Sequence, residues 1–338
     1  MRALILIALA GFAAQLVDGG IGMGFGVTST TILLLAGLGP AQASAVVHTA
    51  ELGTTFASGI SHWRFGNVHW PTVLALGVPG GIAACAGALL LSSISLEAAT
   101  PWTSAILTVI GVSLVWRFSR GRTRRAVSTK HHSRGFLVGL GLVGGFVDAS
   151  GGGGWGPVST STLMAVGREQ PRRIVGTVNT AEFLVTFGAT AGFVVGLWEE
   201  LVAHAAAVGA LLVGGVLAAP VAAWLVSRVN PVALGGLVGT AIVVLNLPKI
   251  IDVPAWAQLI IAIIGVSATI TGVRRYRRAL AADQAADAAA ANEQAAGNAA
   301  TNAANNSGTT PAEAKLKEDA ELAQGASANS PELAYRSS

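Results

Sequence analysis

Charge is scarce in this chain and cysteine is nearly absent. Only 11% of its 338 residues are Asp, Glu, Lys or Arg, against about 25% in a typical soluble domain. The last sixty residues hold eight of the seventeen acids, so the rest is poorer still. Residues 1–280 carry eighteen Lys/Arg and nine Asp/Glu. The lone Cys85 excludes an internal disulfide and a multi-cysteine metal site. It lies in an apolar run and reads as a small packing residue. No His/Cys cluster has ligand-like spacing, which argues against a soft metal. No glycine-rich stretch is followed by the Lys of a nucleotide loop. No nucleophile–base pair stands out, so no enzyme and no cofactor are expected. The basic residues cluster at the ends of apolar segments, so the net charge of +4 is no sign of nucleic-acid binding.

What is abundant is apolar. Such residues make up 52% of the chain, and the mean hydropathy is +0.61. Several runs approach the roughly 20 residues needed to cross a bilayer. The sequence therefore predicts an all-α integral membrane protein. Its N-terminus resembles a signal peptide, with Arg2, an apolar stretch and small residues at Ala13 and Ala14. That reading fails because residues 11–37 recur inside the chain.

The recurrence is direct. Gly11–Gly37 and Gly141–Gly167 share ten identities in 27 positions. With one residue inserted, Pro40–Phe56 and Pro171–Phe187 share seven in 17. Gly80–Ala84 matches Gly214–Ala218 more weakly. The boundaries read as a first membrane repeat at 1–116, a basic cytoplasmic linker at 117–134, a second repeat at 135–278, and a disordered cytoplasmic tail at 279–338. The tail is rich in Ala, Asn, Gln and Glu.

Each repeat opens with an interrupted apolar stretch: Asp18–Gly26 in one copy, Asp148–Gly156 in the other. Five glycines in each make a poor helix. The arms around the first break, roughly 15 and 12 residues, would reach only about 22 and 18 Å, short of a bilayer core of about 30 Å. Charge placement chooses between a re-entrant hairpin and one broken span. A hairpin over Phe136–Gly167 puts Arg168, Arg172, Arg173, Arg228 and Arg274–Arg278 inside, with only Lys249 misplaced. A single span puts most of these outside. The expected architecture is two inverted repeats, about seven full spans plus two glycine-tipped re-entrant helical hairpins, with the tips approaching the midplane from opposite faces. The full spans fall near 41–61, 71–91, 101–116, 174–197, 201–226, 232–247 and 255–273.

Four of the nine acids occupy matched positions: Asp18 with Asp148, Glu51 with Glu182. An Asp in the membrane interior costs about 2.5–3.5 kcal/mol on insertion scales. Such groups are paired, hydrated or functional. The glutamates suit proton carriage. The aspartates equally suit accepting hydrogen bonds from the glycine backbone. His48 lies three residues before Glu51, on the same helix face, and could share its proton or be a hydrogen-bonded interior histidine. Asn179 replaces it in the second copy. His62 and His69, beside Trp63 and Trp70, read as an interfacial belt.

The tips carry a candidate anion site. Gly22, Gly24 and Gly26, with Gly152, Gly154 and Gly156, permit close approach. Thr28, Ser29 and Thr30, with Ser159 and Thr160, add hydroxyls at helix starts where N–H groups are unpaired. Asp18 and Asp148 border the same tips. Tight helix packing by small residues explains glycines such as Gly80, Gly214 and Gly235.

The doubled glycine pattern, the proline after it (Pro157), and the His48-Thr49-Ala50-Glu51 and Asn179-Thr180-Ala181-Glu182 blocks resemble the TauE/SafE sulfite exporter family of bacterial membrane permeases. The resemblance covers about residues 1–273. The first copy departs from it: its glycines are interrupted and Val27 replaces the proline. The resemblance implies transport of sulfite, a sulfonate or a small organic acid across the cell membrane. The leading expectation is a proton-coupled secondary anion transporter, with Glu51, Glu182 and His48 handling protons. Expected partners are the small anion and the lipid bilayer, no nucleic acid, and homo-oligomerisation as an option. A cation or metal-ion carrier is the alternative, favoured by the four acids and by the lack of a membrane Arg or Lys. A non-transporting scaffold using the tail is a third reading.

Overall fold

The computed structural model describes residues 2–21, 23–121, 132–166, 171–226, 230–306 and 315–316. Among them the regular elements are helices: α1 (Arg2–Ile21), α2 (Phe25–Leu35), α3 (Pro40–Arg64), α4 (Trp70–Ser93), α5 (Leu96–Ser119), α6 (Arg134–Gly151), a π-helical turn (Gly156–Thr160), α7 (Ser161–Val166), α8 (Pro171–Gly196), α9 (Trp198–Ala203), α10 (Ala205–Val226), α11 (Pro231–Asn246), a 3-10 turn (Leu247–Lys249) and α12 (Ala255–Asn306). The starts follow local chemistry. Proline fills the first turn of α3, α4 and α11, where its missing N–H is no loss. Asn230 caps α11 by accepting from Val232 N–H at 2.9 Å.

Each of the seven segments expected to span contains one long helix: α3, α4, α5, α8, α10, α11 and α12. Five stretches are long and apolar enough to cross a membrane: Trp70–Ser93, Leu96–Ser119, Arg173–Gly196, Pro231–Lys249 and Ala255–Asn302. The segment expected from residue 201 starts later. α9 ends at Ala203, and His204 breaks the run with its ring on the Glu200 carbonyl at 2.7 Å. α1 outlasts the expected break: Asp18, Gly19 and Gly20 are still helical. Glycine costs a helix only about 1 kcal/mol per residue, and tertiary packing absorbs that.

The polarity is inverted relative to a soluble protein. Ile82, Val109, Val195, Leu259 and Ile264 are all more than 50% exposed, while Ser29, Ser44, His48, Ser159 and Asn246 are fully buried. Exposed apolar belts of this extent suit lipid, not water.

The chain divides into two units, Met1–Arg277 and Arg278–Ser338. In the first, α1 packs on α10 and α6 packs on α4. By sequence match, α1 corresponds to α6 and α4 to α10. Each copy's first helix is therefore seated on the other copy's fourth-segment helix. α3 crosses α8, and α5 crosses α11. Small residues set these distances. A Cβ on Gly145 would overlap the Gly80 carbonyl, one on Gly214 the Ala8 carbonyl, and one on Gly235 the Phe118 ring. Overpacking at such a contact costs about 1–3 kcal/mol. In the second unit, helix continues to Asn306, and the side chains through Asn302 are almost wholly exposed.

Candidate functional site

The two glycine stretches become two turns that touch. In the first, Met23 and Gly24 separate α1 from α2, and Gly24 has φ 116°; Gly22 lies outside the described residues. In the second, Gly152, Gly153 and Gly154 have φ of 72°, 135° and 156°. This left-handed backbone ends the helix and strongly favours glycine. A Cβ on Gly26 would stand 2.9 Å from the Gly153 Cα. One on Gly156 would stand 2.7 Å from the Met23 Cβ. The Thr30 hydroxyl donates to the Gly152 carbonyl, joining the turns directly.

Each aspartate braces its own turn. Asp148 accepts the Trp155 backbone N–H at 2.8 Å, and Asp18 accepts that of the matched Phe25. Asp148 has a second partner. Its Oδ2 lies 3.1 Å from His48 Nε2. The other ring nitrogen, Nδ1, lies 2.8 Å from the Ser44 carbonyl and 3.2 Å from the Ser44 hydroxyl, so Ser44 offers it both an acceptor and a donor. The Ser44 hydroxyl donates to the Ala149 carbonyl at 2.8 Å. The hydrogen bond between Nε2 and Oδ2 places a proton between the ring and the carboxylate. Histidine 48 thus faces Asp148, while its sequence neighbour Glu51 lies one turn further along α3. Asn179, which replaces His48 in the second copy, donates instead to the Ser58 hydroxyl at 3.2 Å.

Glu51 is buried beside the turns, its Oε1 3.3 Å from the position of a Cβ on Gly26. It lies within electrostatic range of Asp148, Glu182 and Asp18. The α3–α8 crossing holds the glutamates near each other. Thr55 and Thr186 approach to 3.4 Å there and bond back to the Glu51 and Glu182 carbonyls at 2.6 and 3.0 Å.

Thr28, Ser29, Ser159 and Thr160 also sit at the turns. Ser29 and Ser159, at matched positions, are fully buried. Neither hydroxyl, nor that of Thr28, has a hydrogen-bond partner among the described residues. Trp155 is fully buried and locks its turn by donating its indole N–H to the Val178 carbonyl at 3.1 Å.

Sequence reading passed over Arg117. Charge counting puts it in the basic linker, but it lies in the last turn of α5. Its guanidinium donates to the Ser161 hydroxyl and points at two thioethers, Met23 Sδ at 3.3 Å and Met164 Sδ at 3.2 Å. Measuring α5 from its cap at Ser95 would have kept Arg117 inside the helix. The charge-rich neighbours hid that.

Apolar helices surrounding a polar, acid-bearing interior define an integral membrane protein. The sulfite exporter TauE/SafE family matches residues 7–248. YtnM of Bacillus subtilis (strain 168), described as a probable membrane transporter protein, is 45% identical over 255 residues, 75% of this chain and 84% of that protein. No solved structure matches. The chain belongs to the TauE/SafE sulfite exporter family, a family of membrane transporters.

Proposed function

We propose that this chain is a proton-coupled secondary transporter of a small anion such as sulfite, a sulfonate or a small organic acid. In this reading its halves are inverted repeats, and the two turns are tips of re-entrant hairpins meeting near the midplane. The observation that carries the site is the matched pair Ser29 and Ser159: buried hydroxyls, one per turn, without partners among the described residues. A buried unsatisfied hydroxyl costs about 1–3 kcal/mol, so a site that keeps two at equivalent places is built to receive a hydrogen-bonding guest. The chain reversal at the second turn supports the hairpin, since a Cβ on Gly144 in α6 would stand 2.8 Å from Ser159 Oγ. The exchange of packing partners between α1–α10 and α6–α4 supports a two-fold relation between the halves.

Proton coupling would run through the proton held between His48 and Asp148 and the neighbouring Glu51 and Glu182. Binding an anion next to four acids is favourable only when protons reduce their charge. Coupling follows from that constraint. The test is flux of labelled sulfite and sulfonates in proteoliposomes with an imposed pH gradient. Gradient-dependent flux that falls in Ser29→Ala, Ser159→Ala, Glu51→Gln and Glu182→Gln is expected. Flux indifferent to the gradient would remove coupling, and absence of anion flux would remove the substrate class. The acids themselves favour a cation carrier as the second reading. No group of three or more His, Cys, Asp or Glu among the described residues is placed to hold a metal ion, and cation-dependent stabilisation of the purified protein would revive that reading.

A further inference from the structure

Arg117 reaches from the last turn of α5 to the first turn and to α7, the helix that follows the second. Met23 belongs to the first, and Ser161 and Met164 follow the second; all three contact its guanidinium. The Phe118 ring lies 5.5 Å below it. No carboxylate pairs with it among the described residues. Arg117 is half-buried in the last turn of α5, where an arginine snorkels to the interface, is paired, or is functional.

The partners are also chemically poor. A guanidinium presents five N–H donors in a planar fork. It meets one hydroxyl and two thioethers, and a thioether is a weak acceptor. The fork is held in place by these contacts without being satisfied by them. An oxyanion offers what is missing: two oxygens spaced to accept the fork, and a negative charge. The Ser161 hydroxyl, already beside the guanidinium, can turn to donate to the same oxyanion.

We propose that Arg117, positioned by Ser161, Met23 and Met164, is the cationic recognition group for a sulfonate-, sulfite- or carboxylate-type oxyanion held between the first turn and α7, the helix that follows the second. This rests on the anion reading above and names the group that gives it charge selectivity. It also answers the argument for a cation carrier, which leaned on the absence of a basic residue in the membrane. An anion held there lies against side chains of both sequence copies, so its arrival would report to both halves. The thioethers leave the fork free: a carboxylate in the place of Met23 or Met164 would neutralise Arg117 and close the site to anions.

The test uses the purified full-length protein in detergent, heated with sulfite, sulfoacetate or chloride. Wild type is expected to be stabilised by the two oxyanions and little by chloride. Arg117→Gln is expected to lose that stabilisation, and Arg117→Lys, which keeps charge but not the fork, to need at least about tenfold more oxyanion for the same shift. Stabilisation of Arg117→Gln equal to wild type, or none in wild type, overturns the proposal. Should Arg117→Gln not fold, Arg117→Lys and Met164→Glu decide: both must weaken the oxyanion response while chloride stays inert, and an unchanged response overturns it. Flux assays separate the two ideas. Arg117-dependent stabilisation without anion flux in wild type would sink the transport reading and leave the anion site standing.

Discussion

Asp148 and Asp18 lie seven residues before Trp155 and Phe25, and each takes that residue's backbone N–H. From this shared brace the two turns diverge. Asp148 also holds His48 at 3.1 Å, its turn uses three consecutive left-handed glycines, and it continues into a π-helical turn containing Pro157. The first turn has Asn179 in place of that histidine, bonded elsewhere, and Val27 where the second has proline. A duplicated device has thus been fixed more firmly on one side. The proton-bearing pair belongs to the second turn, while the first contributes Thr30 and Gly26 to the contact between them.

The largest effect should come from Gly153→Ala. Its left-handed φ of 135° and a Cβ overlapping the Val27 and Gly26 backbone together should cost at least about 3 kcal/mol, read as lost monodisperse protein. Gly24→Ala strains the φ of one residue in the first turn and should cost about 1–2 kcal/mol. Equal melting points for the two variants would erase the claimed difference between the turns.

Next come the aspartates. Asp148→Asn disrupts a bond that holds a proton and should lower stability by about 2–3 kcal/mol, against about 1 kcal/mol for Asp18→Asn. Denaturant titration of both variants measures this, and the reverse order would mean that His48 contributes nothing to the brace.

His48→Asn copies the second-copy residue into the first. Proton-driven flux should fall about tenfold, equivalent to about 1.4 kcal/mol, and lose part of its pH dependence. Asn179→His should change flux less, because Asn179 bonds Ser58 and not an aspartate. Matching effects in the two variants would restore symmetry. The smallest change is expected for Pro157→Val, which gives the second turn the first turn's residue. Its backbone conformation is set by packing around Trp155, so the melting point should move by an amount corresponding to less than about 1 kcal/mol.

Much of this was readable in the residues. Scarce charge and apolar runs lead directly to an all-helical membrane protein, because lipid forbids unsatisfied backbone and leaves few alternatives. Five of the helices have the length and apolarity to cross. The glycines did not show where the helices stop: α1 runs through Gly19 and Gly20 to Ile21, since a glycine in a helix costs little once neighbours pack on it.

Sequence alone also determined that four acids sit at matched places in apolar runs, with His48 one turn from one of them, since periodicity and spacing are local properties. Tertiary structure decided their partners. His48 meets Asp148 from a hundred residues away, and Arg117 leaves its basic neighbours to stand between Met23, Ser161 and Met164. No local signal carries such pairings, because helices that cross at small residues bring together side chains whose sequence separation is set by the topology.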